Sequence, residues 1–174
     1  MADTYDIFIS YSNKDSQIVH KYAKFLEDYG YKVWYDVKGL YGGAKFAGEI
    51  ADAIEASKLF VFFSSENSNK SPWTKGEIFL AQKYNKQILP VRLDDSDYEK
   101  SVMIVLLPLH YIVCKNGVYD ESLGELQSAI SKLIGEPVKK HLIACGCIEN
   151  VHFIDANIFL YRNVSQDARI LRES

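Results

Sequence analysis

Glu77 is the residue of this chain with the clearest chemical potential. It ends the segment Ser71-Pro72-Trp73-Thr74-Lys75-Gly76-Glu77, where a serine followed by proline has the makings of a helix start: a capping hydroxyl, then a residue whose missing N–H costs nothing in a first turn. On the helix that follows, Trp73, Leu80, Ala81 and Tyr84 stand at i, i+7, i+8 and i+11, and the i+4 place on that apolar stripe is Glu77. Two readings follow. The carboxylate can sit at the rim of the first turn and complement the helix dipole. Alternatively it faces a cleft beside Trp73, which puts an aromatic platform and a carboxylate one helical turn apart and suits a flat or cationic ring bonded to a sugar.

The elements that must position these residues alternate along the chain. Residues 5–9 form a short β-branched and aromatic run that stops at Ser10-Tyr11-Ser12-Asn13, a cluster of turn and cap formers. Apolar positions at helical spacing (Ile18, Tyr22, Phe25, Leu26, Tyr29) lead to Gly30, where a helix C-cap is expected. A second strand at 33–35 is followed by Asp36, the glycine-rich segment Gly39-Leu40-Tyr41-Gly42-Gly43, and a helical stripe of Phe46, Ile50, Ala53 and Ile54. The run 59–63 is the most apolar strand, as burial on both faces at a sheet centre requires, and Ser64 and Ser65 end it. A third helix is expected at about 72–84, strands at 88–91 and 111–114, a loop with a short irregular helix at 94–109 and a last helix at 123–134. This order implies an α/β fold, a doubly wound, parallel, five-stranded sheet with helices on both faces.

In such sheets ligands bind outside the carboxyl ends of the strands, near the point where strand order reverses. That rule selects Ser10, Tyr11 and Ser12 after the first strand, Asp36 through Phe46 after the second, and Ser64 through Trp73 after the third. Neither a Rossmann nor a P-loop glycine pattern is present, because Gly39, Gly42 and Gly43 match neither spacing. A response-regulator reading is disfavoured too: its phosphoacceptor Asp follows the third strand, and here Ser64 stands there while Asp36 follows the second. His20, His110, His141 and His152 are scattered without metal-ligand spacing, so no metal site is expected.

With 174 residues, 48% hydrophobic and 25% charged, the chain can bury a core without disulfides or metal. Lys+Arg 20 against Asp+Glu 23 argues against nucleic acid or an anionic membrane as the main partner. Cys114, Cys145 and Cys147 are odd in number and read as reduced thiols, and neither a signal peptide nor a membrane span is apparent, so a cytoplasmic protein is expected. Residues 136–174 form an extension of unassigned role, too apolar in the runs 141–144 and 151–161 for a solvated linker.

Read in order, Asp6-Ile7-Phe8-Ile9-Ser10-Tyr11, Val33-Trp34-Tyr35-Asp36, Ala53-Ile54-Glu55-Ala56-Ser57, Ser64 and the segment 71–77 resemble the successive signature boxes of the TIR (Toll/interleukin-1 receptor) domain. The resemblance covers about residues 4–135, the domain expected as 1–135, and its compactness and Trp-x-x-x-Glu form look more like bacterial TIR proteins and the axonal NAD-cleaving enzyme than like adaptor-type receptors. It implies a flavodoxin-like fold and one of two functions. The first is an NAD glycohydrolase or cyclase that releases nicotinamide with ADP-ribose or a cyclic isomer, in bacteria as an antiphage immune signal; the second is a non-catalytic module that signals by homotypic assembly. In the enzymatic branch the resemblance makes Glu77 catalytic, with Ser10, Tyr11, Ser12, Asp36, Phe46 and Trp73 as substrate-binding residues. Phe46 matches an aromatic of the nicotinamide pocket, and Ser12 stands where the axonal enzyme has an arginine. NAD is then a substrate, no cofactor is needed, and the partners implied are further copies of the chain and a sensor or effector protein.

The chemistry is consistent with one carboxylate. Breaking a ribosyl bond to a cationic pyridinium passes through an oxocarbenium-like state that a carboxylate stabilises, and nicotinamide departs neutral without a general acid.

Overall fold

The middles of Tyr5–Ser10 (β1) and Ser57–Ser64 (β3), residues 7–9 and 59–63, are wholly apolar because both strands lie inside the sheet, each paired on its two sides. The computed structural model describes residues 4–36, 44–115 and 120–137, all of which belong to the unit Met1–Lys140. Gly39, Gly42, Gly43, the side chain of Phe46 and all residues from Val138 onward lie outside the described residues.

Five parallel strands form one sheet in the order β2-β1-β3-β4-β5, where β2 is Val33–Trp34, β4 is Gln87–Arg92 and β5 is Ile112–Val113. The register pairs Ile7 with Leu59, Phe8 with Phe60 and Ile9 with Val61, so alternate residues feed two separate cores. Ile7, Ile9, Leu59, Val61 and Phe63 pack with Val19, Tyr22, Ala23 and Leu26 of α1 (Ser16–Tyr29) and with Leu126 and Ile130 of α6 (Asp120–Ile134). On the opposite face Phe8, Phe60 and Phe62 pack with Ile50, Ala53 and Ile54 of α2 (Ala44–Ala56), Ile78 and Ala81 of α4 (Pro72–Lys83), and Val102 and Leu106 of α5 (Lys100–Leu106). Three rings stack across neighbouring strands there. Phe8 lies between Trp34, 4.6 Å away with planes 9° apart, and Phe60, 5.4 Å away and 7° apart.

The helix ends follow the expected punctuation. Gly30 caps α1 at φ 118°, and its N–H reaches the carbonyls of Leu26 and Glu27. Only glycine takes that left-handed conformation at little cost. The irregular helix expected within 94–109 is α5, entered through Glu99, whose carboxylate accepts from the Ser101 N–H. The acidic cluster before it is more ordered than the solvated loop its composition suggests. Asp94 accepts from the N–H and hydroxyl of Ser96 and from the Glu66 N–H, which ties β4 to the segment after β3.

Two differences from the sequence reading concern the segment that carries Glu77. A short helix, α3 (Glu66–Lys70), precedes α4 and is capped by Ser65 and Ser68 bonding each other's backbone N–H groups. The buried face of α4 consists of Thr74, Glu77, Ile78 and Ala81, whereas Trp73 is 40% exposed. Of the apolar stripe expected through Trp73, Leu80, Ala81 and Tyr84, Ala81 is buried and Leu80 and Tyr84 pack partly buried against the core, so Trp73 is the member that departs from it. The reason is tertiary: Ile78 and Ala81 join the core cluster that holds Ile54 of α2 and Phe62 of β3, and that packing leaves Trp73 at the exposed edge of the helix.

Candidate functional site

Chain order reverses between β1 and β3: the chain leaves β1 for β2 on one side and returns to β3 on the other. The carboxyl ends of these two strands, at Ser10 and Ser64, flank the crevice this creates. α4 is aimed at it by a series of hydrogen bonds. Asp15, in the 3-10 turn Asn13–Asp15 after β1, accepts from the Ser65 hydroxyl at 2.5 Å and from the Asn67 amide at 2.8 Å. Ser65 caps α3, and the carbonyl of Ser68 at the middle of α3 accepts from the Thr74 hydroxyl at 2.5 Å. Ser71 then caps α4 with Pro72 at its first positions. Every link is a short polar side chain of the kind that favours caps over helix interiors.

Glu77 lies in the second turn of α4, 8% exposed, which removes the first-turn rim reading. The Ser10 hydroxyl donates to Glu77 Oε2 at 2.5 Å. The carboxylate opens on a recess of about 10 Å³, the room of one water, lined by Ile9, Tyr11, Trp34, Asp36, Ile50 and Glu77 itself. Burial pushes its pKa up from 4.5 to about 7; the Ser10 hydrogen bond opposes that rise, and the Asp36 charge adds to it. A carboxyl group poised at neutral pH in an apolar recess is the state expected of a working acid, base or charge stabiliser.

The structure brings Ser10, Tyr11, Asp36 and Glu77 together. Ser10 is 1% exposed and acts on Glu77 rather than lying open to a ligand. Tyr11, 3% exposed, lines the recess and donates its hydroxyl proton to the Asp36 carbonyl. Ser12 is half-buried at the start of the 3-10 turn; its carbonyl accepts from the Asp15 N–H, and its side chain makes no capping bond. Trp73 is exposed in the first turn of α4, one turn before Glu77. Among the described residues no group of His, Cys, Asp and Glu is placed to hold a metal ion, and no helix is long and apolar enough to cross a membrane.

The sequence reading missed the pairing of Ser10 with Glu77, which are 67 residues apart, and the walls that Ile9, Trp34 and Ile50 contribute. The available signal was topological: residues at the carboxyl ends of adjacent strands meet whatever their separation along the chain. Because the Ser10 hydroxyl stabilises the ionised form, Ser10→Ala is expected to raise the pKa of Glu77 further. Any activity that needs the carboxylate then gains its acid limb at higher pH, and a pH–rate profile whose limb stays in place or moves toward acid would contradict this.

Comparison with known proteins agrees with this architecture. The TIR domain family model matches residues 7–127. Among curated relatives, human Toll-like receptor 2 is 31% identical over 108 residues, 60% of this chain and 13% of the receptor. The TMV resistance protein N of Nicotiana glutinosa is 31% identical over 98 residues, 52% of this chain and 8% of that protein. This chain thus matches only a small part of the length of either relative. Among solved structures, the TIR domain of the Toll-related receptor TRR-2 from Hydra magnipapillata aligns with TM-score 0.53 and 22% identity, over 63% of this chain and 84% of that one. A TIR-STING receptor from C. gigas aligns with TM-score 0.57 and 23% identity, over 79% and 41%. The sheet order, the capped helix that presents Glu77 and the family match lead to one assignment: this chain belongs to the TIR domain family.

Proposed function

We propose that this TIR domain cleaves NAD at the nicotinamide–ribose bond, with Glu77 as the catalytic group. The observation that carries the reading is the buried Glu77 carboxylate, poised near neutral pH beside Ser10 in the recess at the carboxyl ends of β1 and β2. As the ribosyl C–N bond breaks, its electron pair passes to the pyridinium nitrogen and nicotinamide leaves neutral. Positive charge develops on the ribose, and the Glu77 carboxylate stabilises it or accepts a hydrogen bond from a ribose hydroxyl that grows more acidic. Water, or an adenine nitrogen folded back onto the ribose, then attacks and releases one proton, giving ADP-ribose or a cyclic isomer. Asp36, whose charge already acts on Glu77, adds to the negative potential that favours a cationic ring.

In this reading residues 1–135 are the catalytic domain and 136–174 an extension. The chain works in the cytoplasm as a homo-oligomer coupled to a sensor or effector protein, and in bacteria its product serves immunity against phage. The test is incubation of the purified protein with NAD and chromatographic separation of nicotinamide from linear and cyclic ADP-ribose. Absence of nicotinamide release from folded protein, across dilute and crowded conditions, would leave the non-catalytic assembly module as the reading.

A further inference from the structure

His20 lies outside the carboxylate recess, yet it touches two residues that decide where one wall of that recess stands. Its Nε2 is 2.8 Å from the Tyr11 hydroxyl oxygen, and that hydroxyl donates to the Asp36 carbonyl oxygen at 2.5 Å. A phenol has one proton to give. With that proton on Asp36, the Tyr11 oxygen can only accept toward His20, so the network assigns the Nε2–H tautomer to His20. The imidazole also stands edge-on to two rings: Tyr11, at 5.7 Å between centroids and 78° between planes, and Tyr35, at 5.3 Å and 60°. Tyr35 directly precedes Asp36, so His20 holds the chain just past the end of β2 both by ring contact with Tyr35 and through Tyr11 at Asp36. Asp36 in turn lines the recess with Glu77.

We propose that His20 is a positioning residue for the reaction read at Glu77: through the Tyr11 hydroxyl it fixes the backbone of Asp36 and with it one wall of the carboxylate recess. The kinetic consequence rests on the NAD-cleaving reading; the hydrogen-bond relay does not. Hydrogen bonds that polarise one another in series hold a backbone more firmly than either does alone, and small displacements at a reacting centre carry large rate penalties.

Two measurements test it. Nitrogen-15 NMR of the neutral His20 ring should show the Nε2–H tautomer in the wild type and a mixture of tautomers in Tyr11→Phe. In nicotinamide release, His20→Leu should lower kcat about tenfold, with a melting-temperature loss of only a few degrees. His20→Gln, whose amide N–H reaches toward the same oxygen, should restore most of that loss. His20→Leu combined with Tyr11→Phe should be no slower than Tyr11→Phe alone, because both break one relay. A predominant Nδ1–H tautomer, independent losses that multiply in the double variant, or a glutamine variant as slow as the leucine variant would each overturn the proposal. If the wild-type protein releases no nicotinamide, the enzymatic reading falls, and the tautomer in the wild type and in Tyr11→Phe decides the relay on its own.

Discussion

Glu77→Gln is expected to lower nicotinamide release by at least about a hundredfold and, at pH 8, to raise the melting temperature. The first effect follows from removing the carboxylate that Ser10 holds in the recess to face the ribosyl cation; losing one electrostatic contact of this kind typically costs about 10²–10³ in rate. The second follows from the same burial. Unfolded, Glu77 titrates near 4.5; folded, near 7. Between those values the folded chain keeps a proton that the unfolded chain has released, so stability falls as pH rises through the window and levels off above it. The difference corresponds to about 3 kcal/mol at pH 8. Glutamine is neutral at every pH, still accepts from the Ser10 hydroxyl, and escapes that cost. At about 2–4 °C per kcal/mol for a chain of this size, the variant should melt several degrees above wild type at pH 8, with the gap closing near pH 5. Thermal melts at the two pH values, run beside the NAD assay, check both parts. A stabilisation over wild type no larger at pH 8 than at pH 5 would mean that the carboxylate is not buried as the structure shows, and retained turnover would remove Glu77 from the chemistry.

Phe8→Ala carries the largest expected loss of stability, about 3–5 kcal/mol. Phe8 is fully buried, and its ring is the middle member of the stack that joins Trp34 of β2 to Phe60 of β3. Truncation leaves a ring-sized void between two aromatic faces fixed by the sheet register, which leaves little room for collapse. Against a typical domain stability of about 5–15 kcal/mol this removes a large fraction. Denaturant titration should show a lower midpoint at similar slope, and a loss below about 1 kcal/mol would refute the stack as a main support. Activity should fall with stability, because β1 carries Ser10 two residues beyond Phe8 and delivers its hydroxyl to Glu77.

The class of fold was legible because each strand of the centre shows its double burial in composition. Ile7-Phe8-Ile9 and Leu59-Phe60-Val61-Phe62-Phe63 have no polar interruption, and Gly30 and Ser71-Pro72 mark helix ends whose physics is local. Less legible was whatever depended on a distant partner. The face that α4 buries depends on its packing in the core cluster, so spacing within 73–84 found Ala81 but pointed to Trp73 where the structure buries Thr74 and Ile78. α3 was missed because Asn67 and Ser68 are poor helix formers, and the pairing of Ser65 with Ser68 that starts it lacks the Glu or Gln of the usual capping box. Of the candidate site, Glu77 stood out as a carboxylate on an apolar stripe. Its partner Ser10 was selected only as one of several residues at strand ends, since no local pattern distinguishes a serine that will meet a glutamate 67 positions later. His20 looked like any of four scattered histidines until Tyr11 and Tyr35 closed around it.

The stacked position of Trp34 has a spectroscopic consequence. The chain has two tryptophans, and both attend the same crevice: Trp34 forms part of the recess wall, and Trp73 stands one turn from the carboxylate with 40% of its surface in water. Indole emission from this protein therefore arises wholly at the site. Trp34, packed against Phe8, emits from the drier environment, and Trp73 emits at longer wavelength and is the one that dissolved quenchers reach. A nucleotide whose nicotinamide or adenine ring enters the recess would change their intensities separately, so that Trp73→Phe and Trp34→Phe variants turn native fluorescence into two optical probes near Glu77, without any label.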